Sequence, residues 1–311
     1  METPTLVPAI NIALSGSVDG GFQPGHLAIA GESRHFKSNF AIKIASDIMK
    51  ARPNSELVWF DNEFGTPEKY FQNFDIDFER VLHAPFESIE SLRSQMSSIL
   101  NSLEDGEEVI MIVDSLGGAA SAKEISDAID GSDKKDMTRQ QTLKSLFRII
   151  TPLLKLKKVW MISINHVYMT MEMYAKEVMS SGKGALLSAD NQWFIGRRQV
   201  KDGKDLAGFD FIIKSGKSRF IREFSTIPIS VRFDGGIDKW SGLLDIALEG
   251  NFIDKKNRGS KGTCYHMIDQ ETGEVKEDVI YTKDDVAGDA FWEALFNSTK
   301  FKEFVEEKYK L

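Results

Sequence analysis

Cysteine is almost absent from this sequence of 311 residues. Cys264 stands alone, which excludes an internal disulfide or a cysteine-based metal cluster and makes a reducing compartment the expected one. No apolar run approaches the length that crosses a bilayer, and Met1-Glu2-Thr3-Pro4 has neither the basic nor the apolar region of a secretory leader. A cytoplasmic protein with no membrane partner is therefore expected. Internal repeats and low-complexity tracts are missing as well. Excess positive charge is lacking too: 39 Lys and Arg against 47 Asp and Glu leave a net charge of -8. That balance argues against a chain coated in nucleic acid, but net charge does not report local fields.

What is present is enough for a folded protein with a substantial core, either one large domain or one domain with an appendage. Residues 1 to 25 carry Pro4, Pro8, Pro24 and Gly20-Gly21, and read as irregular apart from a short helical turn around Ile10 to Leu14. Leu27 to Ala30, Glu56 to Phe60, Arg80 to Ala84, Val109 to Val113 and Val159 to Ile164 read as strands, the last two buried on both faces. Between them, Phe40, Ala41, Ile44, Ala45 and Ile48 share one helical face, as do Ile89, Leu92, Met96, Ile99 and Leu103, and Leu143, Leu146, Phe147, Ile150 and Leu154. Two long polar stretches, Gly117 to Asp136 and Val167 to Gly184, show no clear periodicity and are of a length usually reserved for function or disorder. Asn191 to Val200, Phe209 to Lys214 and Ile227 to Phe233 read as later strands, with a turn at Lys201-Asp202-Gly203. The pattern predicts an α/β fold: a mostly parallel sheet flanked by helices and extended at one edge by antiparallel strands. Residues 1–240 form this core. A small α/β subdomain is expected over 241–311, with a helix at Leu243 to Leu248, a hairpin across Thr272-Gly273 and a helix from Phe291 to Tyr309.

The stretch Gly31-Glu32-Ser33-Arg34-His35-Phe36-Lys37-Ser38 joins the first strand to the first helix. A strand, a tight loop and a helix opening on Lys-Ser suit a phosphate cradle: backbone N–H groups face the anion, Lys37 bridges terminal phosphates and the Ser38 hydroxyl ligates Mg²⁺. Phe36 stands where that motif has glycine, so an ordinary strand-to-helix turn is the competing reading. Asp114, ending a buried strand, occupies the crevice edge of an open α/β sheet and can hold Mg²⁺ through water. Glu63 is a candidate general base for attack on a γ-phosphate, or simply an acid after a strand. His166 ends another strand, where it either senses the γ-phosphate or merely hydrogen-bonds at a sheet edge. Tyr70 by itself reads as a core residue of a short helix.

Together with Asn11-Ile12-Ala13-Leu14-Ser15-Gly16, Phe36-Lys37-Ser38-Asn39-Phe40, Glu63-Phe64-Gly65, Lys144-Ser145-Leu146-Phe147-Arg148-Ile149 and Phe233-Asp234-Gly235-Gly236-Ile237-Asp238, these residues give the chain a resemblance to the RecA-type recombinases over nearly its whole length. Within them it most resembles the UvsX recombinases of T-even phages, which also carry Phe in the phosphate loop. The resemblance implies a RecA-like P-loop ATPase core that uses ATP and Mg²⁺ to drive homologous pairing and strand exchange. The partners it implies are single-stranded DNA, homologous double-stranded DNA, further copies of the chain in a helical filament, and mediator and single-strand-binding proteins, all in the cytoplasm of an infected bacterium.

Residue by residue, it implies that Glu63 is catalytic, that Tyr70 stacks on adenine and that Asp114 is linked to Mg²⁺. It further implies that His166 is the γ-phosphate sensor, that residues 31–39 wrap the nucleotide, and that Lys217 and Arg219 reach a neighbouring subunit's ATP. The two polar stretches become DNA-binding loops, with Lys123, Lys134, Lys135, Arg139, Lys176 and Lys183 as expected DNA contacts. The family's N-terminal oligomerisation segment and acidic C-terminal tail are not evident, so poor filament formation is expected. Two alternatives share the same nucleotide core. One is a ring-type helicase motor, which would need a primase or linker domain; the other is a non-hydrolysing recombinase mediator, against which Glu63 and Lys37 speak.

Overall fold

The computed structural model describes residues 2–64, 67–131, 138–170, 177–182, 187–259 and 262–311. Strand β1 (Gly25–Gly31) is buried throughout and leads through the candidate phosphate loop into helix α2 (Lys37–Ala51). Then follow β2 (Glu56–Asp61), the short helix α3 (Glu68–Gln72), β3 (Val81–Pro85), β4 (Val109–Asp114), β5 (Trp160–Asn165), β8 (Asn191–Asp202), β9 (Asp205–Ser218), β10 (Thr226–Arg232) and the short β11 (Gly236–Ile237). These nine strands form one sheet in the order β11-β10-β9-β8-β1-β5-β4-β2-β3. From β8 to β3 all neighbours are parallel; β9, β10 and β11 add antiparallel strands at one edge. The apolar runs of β1, β4 and β5 are buried because helices cover both faces, the arrangement parallel crossovers impose.

One corner departs from the sequence expectation. Pro8–Ser15 is a two-turn helix, α1, with every residue buried, longer at both ends than the short helical turn expected around Ile10 to Leu14. Pro8 occupies its first turn, where the missing N–H costs nothing, and Gly16 closes it in the left-handed region (φ 76°) with its N–H bonded to Ile12 O at 2.8 Å. Ile10, Ile12 and Leu14 are apolar all round, the signature of a helix inside a core, at about 1.5–3 kcal/mol per side chain buried. The buried Asn11 is satisfied by Thr5 and by the carbonyl of Val18 (3.0 Å).

The first polar stretch contains a helix the sequence did not announce, α5 (Ala122–Ile129), capped by the Ser121 side chain on the N–H of Glu124. In the second, β6 (Val167–Met169) pairs antiparallel with β7 (Glu177–Met179). Helices α4 (Ile89–Ser102) and α6 (Arg139–Leu156) pack on each other over one sheet face and bury the apolar stripes read from the sequence, Leu103 included; Leu100 joins the α4 face and Ile99 is only partly buried.

Beyond residue 240 the chain forms α7 (Leu243–Glu249), a two-stranded sheet of β12 (Ile253–Asn257) and β13 (Thr263–Met267), a short helix Lys283–Val286, and helices α9 (Asp289–Ser298) and α10 (Phe301–Tyr309), the short one being α8. The chain also folds back across Thr272-Gly273 as expected: Ile268 bridges Val275 antiparallel, Asp269 N–H donates to Glu274 O at 2.8 Å, and Gly273 N–H closes the turn on Asp269 O at 2.9 Å. The expected final helix is two, broken where Thr299 turns extended. Trp240, Trp292 and Phe301 join the same apolar cluster as the main sheet.

Candidate nucleotide-binding site

The parallel strands all end at one edge, and their C-terminal residues meet there. Gly31 closes β1, Asp61 closes β2 opposite Asp114 at the end of β4, and Asn165 closes β5 before His166. The loop from Glu32 to Phe36 rises between β1 and α2. Glu32, Ser33 and Arg34 are exposed, while His35 Nδ1 donates to the Ile195 carbonyl (2.7 Å) and ties the loop to β8. Lys37 opens α2, buried, with Nζ donating to Glu32 O at 2.7 Å, so the ammonium curls into the loop where terminal phosphates belong. Burial lowers its pKa, opposed by the negative fields of Asp114 and Glu63.

Phe36 holds the position that favours glycine. Its backbone is left-handed (φ 60°, ψ 17°), and its ring leaves the loop to stack on Phe211 and to meet Phe40 edge-on at 5.2 Å. The turn is thus kept by packing the side chain away from the phosphate side.

Ser38 Oγ donates to Asp114 Oδ2 at 2.7 Å. Burial raises the Asp114 carboxyl to about 6, with the Ser38 hydrogen bond opposing and the nearby Glu63 and Asp61 adding to the rise. A hydroxyl and a buried carboxylate are the hard oxygen donors that suit Mg²⁺, so the residues fit the ion the fold implies. Asn39 accepts a hydrogen bond from the Tyr70 hydroxyl. Ser38, Glu63, Pro67, Lys69, Tyr70, Asn73 and Asp114 line a cavity of about 360 Å³, within the range of small-ligand sites. Burial first, then Asp114, keeps the Tyr70 phenol protonated far above its ordinary range.

Glu63 is exposed at the rim, with Oε1 3.4 Å from the Ser115 hydroxyl. Its position is set by residues the sequence reading passed over. Asp61 Oδ1 accepts the N–H groups of both Glu63 and Phe64 at 2.9 Å, its Oδ2 lies 3.1 Å from His83 Nε2, and Asn62 Oδ1 accepts the Ser115 N–H at 2.8 Å. Asp61-Asn62-Glu63 follows directly on the strand in sequence, but its cradle is a tertiary fact. The His166 imidazole sits in the fields of Lys37 and Glu63, its pKa lowered chiefly by burial.

Lys217 and Arg219 lie elsewhere. Arg219 Nε pairs with the buried Asp190 at 3.1 Å, and Asp190 also holds Lys155 (2.7 Å) and the His26 N–H (3.0 Å), all at the start of β1. Lys217 Nζ donates to Leu187 O at 3.4 Å beside it. Arg219 lies beside Asp190, level with His26, so five residues of strand, roughly 17 Å, separate it from Gly31 and the phosphate loop, whereas Lys217, opposite Gln192, is level with Ala28, about 10 Å from Gly31 along the strand. Of the expected DNA contacts, Lys123 pairs with Asp127 on exposed α5 (2.5 Å), and the Arg139 guanidinium faces backbone carbonyls inside the fold. Lys134, Lys135, Lys176 and Lys183 lie outside the described residues.

Over 308 residues, covering 99% of this chain and 78% of the relative, the sequence is 44% identical to the "Recombination and repair protein" of Enterobacteria phage T4. The chain belongs to that family of RecA-like recombinases. Residues 240–305 match the family described as "Bacteriophage T4, Recombination and repair protein, C-terminal domain". More distant members of the wider group are similar over most of the chain. "Protein RecA" of Nocardioides sp. is 22% identical over 277 residues (88% of this chain, 76% of the relative), and "Protein RecA" of Malacoplasma penetrans is 24% identical over 241 residues (76% and 71%). Among the described residues no helix is long and apolar enough to cross a membrane.

Proposed function

We propose that this recombination and repair family member is a DNA-dependent ATPase that assembles along single-stranded DNA and exchanges it into a homologous duplex. The observation that carries the reading is the division of the nucleotide machinery between two edges of one sheet. Lys37, Ser38, Glu63, Asp114 and His166 gather at the C-terminal edge, while Arg219 sits toward the other, out of reach of its own phosphate loop, with Lys217 between them level with Ala28. A second copy stacked head to tail brings its Lys217 and Arg219 to the first copy's γ-phosphate, and heterologous contacts of this kind propagate as a helix. ATP then becomes part of the joint between subunits.

Within the site, the loop N–H groups and Lys37 orient the triphosphate and neutralise its charge. Ser38 and Asp114 would hold Mg²⁺, which when bound would supply further neutralisation of the phosphates. Glu63, fixed by Asp61 and Ser115, accepts the proton of the attacking water. Arg219 and Lys217 of the neighbour stabilise the charge of the transition state, an effect worth about 10³ to 10⁵ in rate in other NTPases. Tyr70 stacks on the adenine. Tyr168 and Met169, exposed on β6, offer apolar faces to unstacked bases. Proteins that load the chain onto single-stranded DNA, or compete for it, follow from the same reading.

The test is ATP hydrolysis measured with and without single-stranded DNA across a range of protein concentrations. Hydrolysis that DNA stimulates, and that rises more than linearly with protein, is expected. Hydrolysis indifferent to both would overturn the reading.

A further inference from the structure

Arg139 opens α6 and is half-buried, and its guanidinium spends its donors on four backbone carbonyls. Nε bonds Ala119 O at 2.9 Å, Nη2 bonds Leu116 O at 3.1 Å and Gly117 O at 3.2 Å, and Nη1 bonds Ser180 O at 3.2 Å. Three of these acceptors belong to the segment leaving β4, directly after Asp114 and Ser115. The fourth belongs to the segment leaving β7. Arg139 therefore joins the roots of the two stretches proposed to face DNA.

The same junction touches the nucleotide edge. Ser180 N–H donates to His166 O at 2.9 Å, and Leu116 N–H donates to Ile164 O at 2.9 Å. Gly117 packs so closely here that a Cβ would lie 2.6 Å from Ser180 Oγ and 2.7 Å from His166 Cδ2. A Cβ on Gly182 would lie 2.2 Å from Gln140 Oε1, so the residue after Arg139 also seats the second segment. A fork of fixed planar donors can hold several carbonyls at once, whereas an ammonium on a flexible stem cannot hold the same set.

We propose that Arg139 is a positioning residue: it ties both DNA-facing segments to each other and to His166, so that the state of the nucleotide moves them as one unit. This rests on the proposed function, because it presumes that the segments bind DNA. It also replaces the expectation that Arg139 contacts DNA itself.

The experiment compares Arg139→Gln and Arg139→Lys with the parent chain in fluorescence titrations with an oligothymidylate at several salt concentrations. It also measures the ratio of ATP hydrolysis with and without that DNA. For a positioning role, both variants bind at least tenfold more weakly, and the slope of log affinity against log salt stays as in the parent. The DNA stimulation ratio falls toward one in both. A direct phosphate contact gives the opposite pattern: the slope drops by about 0.7 in Arg139→Gln, and Arg139→Lys retains slope and affinity. That outcome, or unchanged stimulation in both variants, overturns the proposal. Hydrogen exchange on the parent chain keeps the test open if the variants do not fold. Protection of 116–119 and of 177–181 should change together on adding a non-hydrolysable ATP analogue, and independent changes overturn the proposal. A parent chain with no affinity for DNA would instead remove the proposed function.

Discussion

The rings of Phe36 and Phe211 stack at 5.0 Å between centroids and 25° between planes, which joins the phosphate loop to the antiparallel extension of the sheet. The stack makes a phenylalanine acceptable in a left-handed turn. A residue with a Cβ costs about 1–2 kcal/mol there, and an aromatic pair returns about 0.5–1.5 kcal/mol beyond the area it buries. Phe36→Ala keeps the backbone cost and loses the ring, so it should destabilise the chain by about 2–3 kcal/mol. Phe36→Gly should recover about 1 kcal/mol of that in urea unfolding. Because the parent already holds the glycine-like turn, ATP affinity of Phe36→Gly should stay within about threefold of the parent. A larger gain in affinity would show that the ring obstructs the nucleotide.

Acid sensitivity should trace to His26. The ring is buried between Ser163 Oγ (2.8 Å) and Ser188 Oγ (3.3 Å) and stacks on Phe147 at 5.2 Å. Burial lowers its pKa to about 4, with Asp190 opposing and Lys155 assisting. Protons therefore bind the unfolded chain more readily, and stability is lost as pH falls from about 6.5 toward 4. At pH 5 the loss from this residue should be on the order of 2 kcal/mol relative to pH 7.5. His26→Gln should show a correspondingly smaller drop in unfolding free energy between those two pH values.

Glu63→Gln should hydrolyse ATP about 10²- to 10⁴-fold more slowly, the usual loss with a general base. Nucleotide binding should remain within a few-fold of the parent, because Glu63 is exposed and its side chain holds Ser115 only by a long contact of 3.4 Å. Equilibrium binding of a fluorescent ATP analogue, run beside steady-state hydrolysis, separates the two effects.

Mixing two inactive variants tests the shared site. Glu63→Gln leaves its own Arg219 intact, and Arg219→Ala leaves its own Glu63 intact, so mixed assemblies contain some complete joints. An equal mixture should recover about a quarter of the parent's DNA-stimulated hydrolysis if pairing is random. No recovery would place the cation in the same subunit, against the distance between the two edges of the sheet.

The sequence by itself determined the strand order along the chain and the buried character of β1, β4 and β5. It also determined the inward faces of α2, α4 and α6, since periodicity records which side of an element must leave water. It placed Lys37, Ser38, Glu63, Asp114 and His166 after strands, and parallel strands carry such residues to one edge. It showed α1 only as a short turn at Ile10 to Leu14, because Pro8 looks like a breaker until the buried surroundings make it a first-turn residue. Three things were decided only by tertiary structure: the ring partner that lets Phe36 stand for glycine, the Asp61 cradle that aims Glu63, and the distance of Arg219 from its own phosphate loop. Each depends on residues far apart in sequence meeting across the sheet, and local pattern carries no record of such meetings.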